Sequence, residues 1–298
     1  MKNLSTYLIE SLIAEGGHAV QGTPMTQPQA KAVYESVKEK FLPKLGLTDE
    51  GVDYCTLGSF GKKPDEQTSG DIDIAVSADT IAIKNNISLD DVEQFIVDVC
   101  EKEGVNYKYG IGIHVISLAW LIPGTDNFGQ VDIMPTNSID FSKWMYYSPD
   151  FRVAESKYKG LYRNQLIMGI LKYADQKVLR KTDKDEVIEY ERYALRLNQG
   201  LARTRRSFEG KKGGLIKTEH ALKEFERQIT NVPDEIVKIA FGDGVKASDV
   251  MTFEQAYRLF MSPSFPWKDN REKVINHLLK EIKNVAPVPS EVADDWGV

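Results

Sequence analysis

A chain of 298 residues with 42% hydrophobic and 28% charged residues has the make-up of an ordinary globular protein and is long enough for two domains. Its longest apolar run, 115–123, is too short to span a bilayer. Glu10 and Glu15 interrupt any signal-peptide pattern, and two cysteines, Cys55 and Cys100, exclude a disulfide framework, so a cytoplasmic, membrane-free protein is expected.

The net charge of −6 is unevenly spread. Residues 1–149 carry 21 acids against 11 lysines and no arginine, whereas residues 150–298 carry 23 acids against 27 Lys and Arg. An anionic ligand would meet lysines and backbone amides in the first half, and guanidinium groups only from Arg152 onward. Drift in surface composition accounts for the same split.

In chain order, helical spacing of Leu4, Tyr7, Leu8, Leu12 and Ile13 predicts a short helix over 4–15, closed by Gly16-Gly17. Thr26 with Gln29 predicts a capping box, and the helix behind it runs to about Phe41, where Pro43 and Gly46 close it. Strands are expected at 52–57 and 71–77. Ser88 with Asp91 opens a helix that ends at Gly104. Strands follow at 105–109, 114–122 and 129–134, the last two joined by a Pro/Gly/Asp/Asn turn at 123–127. Beyond 150 the pattern reads as helices throughout, at 155–174, 185–198, 218–228, 234–241, 252–260 and 270–284, with a weakly ordered tail from 286. The expected organisation is therefore an α+β domain over 1–150 and an all-helical lobe over 151–298.

The chemistry concentrates in 57–76. Alternate strand residues share a face, so Asp71 and Asp73 emerge together from a strand that is otherwise Ile72, Ile74, Ala75 and Val76. Such charge set in apolar sequence calls for a neutraliser, and a hard divalent cation prefers oxygen ligands. Upstream, Gly58 would let a phosphate approach the backbone, Ser59 adds a hydroxyl, and Lys62 and Lys63 add positive charge. Asp132, in Val131-Asp132-Ile133, offers a third carboxylate. Three acids on neighbouring strands suit two Mg²⁺ ions, with Mn²⁺ as substitute, in two-metal phosphoryl or nucleotidyl transfer.

Gly58-Ser59-Phe60, then Ser69-Gly70-Asp71-Ile72-Asp73-Ile74, then Val131-Asp132-Ile133 resembles the DNA polymerase β-like nucleotidyltransferase superfamily over roughly residues 50–150. The resemblance implies a nucleotidyltransferase palm, a mixed sheet with flanking helices. It implies Asp71, Asp73 and Asp132 as metal ligands and catalytic residues, and Gly58, Ser59, Ser69 and Gly70 at the triphosphate of an NTP. Tyr146 and Tyr147 loosely match that family's aromatic segment near sugar and base. The chain departs from the polymerase branch in carrying lysine where that branch has arginine, and in lacking recognisable helix–hairpin–helix motifs.

Two function classes follow. One is a template-independent enzyme that transfers a nucleoside monophosphate to a hydroxyl, an RNA or DNA 3′ end being preferred and a small molecule, nucleotide or protein the alternative. The other is a catalytically silent, nucleotide-sensing palm. For the nucleic-acid acceptor, Arg203, Arg205 and Arg206 belong to a basic run over 196–217; a solvated basic loop is the equal alternative. Lys159 and Arg163, close behind the tyrosine pair, are candidates to reach the nucleotide, against ordinary surface charge. His18, His114, His220 and His277 show no metal-ligand spacing.

Overall fold

Thr26 opens the first described helix as the sequence predicts: its hydroxyl accepts from the Gln29 amide, and the Gln29 side chain accepts from Thr26 N at 3.0 Å. A computed structural model describes residues 19–47, 53–110, 114–181, 187–196, 198–210, 217–283 and 286–298. The expected helix over 4–15 lies outside them. The chain divides into two compact units, Met1–Leu161 and Tyr162–Val298.

In the first unit, strand β1 (Met25–Thr26) leads into α1 (Gln27–Lys40), which ends in a 3-10 turn closed by Gly46 at φ +80°. Strands β2 (Tyr54–Thr56), β3 (Thr68–Ser69) and β4 (Asp71–Ser77) follow, then α2 (Ala78–Asn85) and α3 (Val92–Glu103). Next come β5 (Asn106–Gly110), β6 (Val115–Leu121), β7 (Phe128–Thr136) and α4 (Ile139–Met145). The sequence reading passed over α2. Ser77 both ends β4 and caps α2, its hydroxyl accepting from Thr80 N at 3.1 Å, so no loop separates the two.

Five strands form one sheet in the order β2-β4-β7-β6-β5, while β1 pairs with β3 apart from it. Only β4 and β7 run parallel within this sheet; the other neighbours are antiparallel. Alternation gives the sheet two different faces. Ile72, Ile74, Val76, Ile116, Leu118, Val131 and Ile133 are buried in the same core as Val33 and Val37 of α1 and Ile96 and Cys100 of α3. The opposite face carries Asp71, Asp73, Ala75, Ser117, Gln130, Asp132 and Met134. There Ala75 and Met134 join Leu57 in a small second cluster, with Tyr146 packed against it.

The second unit corrects the expectation of an all-helical lobe. After α5 (Gly160–Tyr173) come four strands, β8 (Lys177–Lys181), β9 (Val187–Arg196), β10 (Gly200–Gly210) and β11 (Lys217–Thr230), in an antiparallel sheet of order β11-β10-β9-β8. Only then does the chain turn helical, in α6 (Pro233–Phe241), α7 (Phe253–Met261), α8 (Arg271–Ile282) and α9 (Ser290–Trp296). The segments expected as helices at 185–198 and 218–228 are thus strands. Their Glu, Arg, Lys and Leu content favours helix, but the charges are used across strands: Arg205 faces Glu191 in register and also reaches Glu189. Cross-strand ion pairs and aromatic contacts override propensity. The tail is ordered as well. Val292 is buried, and Tyr257 donates to Asp295 Oδ2 at 2.9 Å while accepting from Trp296 Nε1 at 3.1 Å. Among the described residues no helix is long and apolar enough to cross a membrane.

Candidate metal centre

Asp71 and Asp73 stand two residues apart on β4, so both side chains leave the same face. The parallel register sets Asp132 directly beside Asp73 and Gln130 beside Asp71. Carboxylate oxygens of Asp71, Asp73 and Asp132 consequently lie within 4.8 Å of one another, and this is the only such group of three possible ligand residues among those described.

Burial and mutual repulsion make the unliganded group costly. Burial pushes the Asp71 carboxyl up to about 7, helped by the Asp132 charge and opposed by Lys63. Asp73 is raised well above the ordinary carboxylate range, first by burial and then by Asp71 and Asp132. Asp132 is raised by burial, with hydrogen bonds from Ser117 and Gln130 holding it back. The Tyr146 phenol is raised too, by burial and by the charges of Asp73 and Asp132, which places its ring beside the acids. Three carboxylates offer oxygen donors alone. That donor chemistry fits a hard divalent cation such as Mg²⁺ or Mn²⁺, which would remove both penalties.

Gly58 shows how tightly the acids are approached. Its φ is +63°, and a Cβ there would stand 2.6 Å from Asp73 Oδ2. The backbone is held in that place: Gly58 N donates to the Tyr146 carbonyl at 3.2 Å, and Leu57 N donates to the Asp73 carbonyl at 2.9 Å. Gly58→Ala therefore both strains the turn, by about 1–2 kcal/mol, and displaces Asp73. We expect Mn²⁺ binding to weaken by about tenfold or more, the usual cost of disturbing the support of a metal ligand, in a protein that still unfolds cooperatively. Wild-type Mn²⁺ affinity in that variant would separate Gly58 from the site.

The other sequence-proposed residues are distributed unevenly. Ser59 follows Gly58 in the same turn, its carbonyl accepting from Lys62 N at 3.1 Å. Lys63 donates to the Thr68 carbonyl at 2.9 Å and is close enough to Asp71 to ease its charge. Lys62 instead donates to the Ser148 carbonyl at 2.8 Å and lies 4.7 Å above the Tyr147 ring, whose hydroxyl donates to Glu155. Gly70 links β3 to β4, immediately before Asp71. Ser69, 1% exposed, turns its hydroxyl to Gln27 Nε2 at 3.0 Å and is occupied in the β1–β3 pairing.

Lys159 is exposed ahead of α5. Arg163 is fully buried within the second unit, donating to the Val250 carbonyl at 2.6 Å and to Asn164 at 2.8 Å. Arg203 is also buried. It donates to the Asp175 carbonyl at 2.8 Å, faces the Asp175 and Glu191 carboxylates, and stacks 4.5 Å from the Tyr193 ring. Arg205 pairs with Glu189 and Glu191 and lies 4.0 Å from the Phe225 ring, while Arg206 is half-buried on the other face of β10. The basic run at Arg203 and Arg205 is thus engaged inside its own sheet rather than displayed as a surface patch.

Sequence reasoning missed Gln130 and Ser117, both of which hold Asp132. Gln130 Nε2 donates to the two Asp132 oxygens at 3.0 and 3.1 Å. Ser117 faces Asp132 in the β6–β7 register and hydrogen-bonds its carboxylate. The signal for Gln130 was present: it precedes Asp132 by two residues and must share its face. No protein-family model matches the chain, and no curated protein matches it.

Proposed function

We propose that the protein is a metal-dependent nucleotidyltransferase that moves a nucleoside monophosphate from an NTP to an acceptor hydroxyl. The observation that carries the reading is the convergence of Asp71, Asp73 and Asp132 from two parallel strands onto one volume, with the Gly58 turn pressed against it. Asp71, Asp73 and Asp132 would hold Mg²⁺, which when bound polarises phosphoryl oxygens and lowers the pKa of an attacking hydroxyl. Gly58 leaves room for a phosphate where any side chain would intrude. Lys63 brings a positive charge close to Asp71, where negative charge gathers during transfer. Asp132, steadied by Gln130 and Ser117, is the carboxylate assigned to orient the attacking hydroxyl and accept its proton.

The acceptor reading changes. Arg203 and Arg205 no longer support a nucleic-acid end, because their guanidinium groups are matched by acids and rings of their own unit. A polyanion would also meet a half-chain carrying 21 acids and 11 lysines. The acceptor proposed is therefore a small hydroxyl-bearing molecule, a nucleotide included.

The test uses each α-labelled NTP with Mg²⁺ or Mn²⁺, in the presence of nucleotides, polyols or oligonucleotides. Metal-dependent pyrophosphate release without oligonucleotide is expected. Label transferred only to oligonucleotide ends would overturn the acceptor assignment. No pyrophosphate release with any NTP and metal would overturn the function and leave a silent palm.

A further inference from the structure

We infer that Gln130 is a positioning residue for the third carboxylate, and that it draws its own orientation from the backbone of Ala19 and Val20. This rests on the metal-centre reading above. Gln130 is 3% exposed. Its Nε2 donates to both oxygens of Asp132, at 3.0 and 3.1 Å. Its Oε1 accepts from Ala19 N at 3.0 Å and from Val20 N at 3.5 Å.

This arrangement admits one amide orientation. Turning the amide over would set Oε1 against a carboxylate and the NH₂ against two backbone N–H groups, which is repulsive at both ends. Acceptance at Oε1 also polarises the opposing N–H bonds and strengthens their grip on Asp132. One Asp132 oxygen can then turn to a cation while the amide keeps the other.

The backbone that orients Gln130 is itself pinned to β7 and to β3, the short strand just ahead of β4. Gly22 packs so closely on β7 that a Cβ would stand 3.2 Å from Gln130 N, and Thr23 N donates to the Phe128 carbonyl at 2.7 Å. Met25 fills the space over Gly129 and pairs with Ser69, two residues before Asp71. Residues 19–26 thus form a strap from the start of β7 to the approach to β4. Gln130 is the polar link between that strap and the site.

The test is Mn²⁺ affinity, followed by the paramagnetic resonance of free Mn²⁺, alongside the thermal midpoint of the metal-free chain. Gln130→Met keeps the volume and removes both sets of bonds, while Gln130→Asn keeps the amide but withdraws it by one methylene. Both are expected to weaken Mn²⁺ binding by about tenfold or more, the usual cost of losing a hydrogen-bond partner of a metal ligand. Ala19→Pro removes one N–H at the far end and should give a smaller loss in the same direction. A lowered midpoint with unchanged Mn²⁺ affinity would make Gln130 a structural anchor and overturn the assignment. If Gln130→Met does not fold, Gln130→Asn decides by the same criterion. Failure of the wild-type chain to bind Mn²⁺ would instead overturn the metal centre itself.

Discussion

Asp132→Asn is expected to reduce metal-dependent nucleotidyl transfer by at least about a thousandfold, roughly 4 kcal/mol of transition-state stabilisation. The change is isosteric. It removes one charged ligand and the only group assigned to accept the hydroxyl proton, and leaves the strand pairing of β7 untouched. The same substitution should make the metal-free protein more stable, by about 0.5–2 kcal/mol, the range common for single stabilising substitutions. Three carboxylates within 4.8 Å of one another repel in the folded chain, and each is held above its ordinary proton affinity. Opposite movements of turnover and of the urea midpoint are therefore the signature. Retained turnover would sink the role of Asp132; an unchanged or lowered midpoint would sink the claim that the acids are in conflict.

Metal and pH should act on stability in opposite directions. The folded-state pKa of Asp71, about 7, lies above its ordinary 3.8, and Asp73 and Asp132 are shifted upward as well. Between those values the folded chain holds protons that the unfolded chain has already lost. Stability of the metal-free protein must then fall as pH rises through that window and recover as pH drops below it. A divalent cation displaces those protons, so its binding tightens with pH by about tenfold per unit for each proton released. Affinity at pH 5 should be about fiftyfold to a hundredfold weaker than at pH 7 on the Asp71 proton alone. At a hundredfold excess over Kd, Mg²⁺ should add about 2.7 kcal/mol to unfolding. Differential scanning calorimetry at pH 5 and pH 8, with Mg²⁺ and with EDTA, measures this directly. A metal-induced rise in Tm that is the same at both pH values would refute the carboxylate site.

The first unit was legible because its signals are local. Thr26 and Gln29, Gly104, the alternation in β4 and the turn between β6 and β7 all act within a few residues. The acids were legible for the same reason: Asp71 and Asp73 share a face by strand periodicity alone. What the chain did not disclose was partnership. Glu189 and Glu191 on β9, with Arg203 and Arg205 on β10, recur every second residue, which is strand periodicity written in charge rather than in apolar side chains. Read for hydrophobic spacing, β9 and β11 resemble helices. The pairing of β10 with both neighbours decides otherwise. The surroundings of Arg163 were hidden for a related reason: its burial against the Val250 carbonyl depends on a segment almost ninety residues away.

The parallel register of β4 and β7 also bears on how the site comes into being during folding. About sixty residues of helix and antiparallel hairpin separate Asp73 from Asp132, several times the dozen or so that a parallel crossover needs. A slip of one residue would carry Asp132 to the helix-covered face and Val131 to the site. Such a mispaired species could keep much of its secondary structure and yet hold no triad. Competence to bind metal is thus gained only once this long-range pairing has closed in the right register, among the slower kinds of contact to form. Refolding followed by Mn²⁺ uptake would report that last alignment rather than the collapse that precedes it.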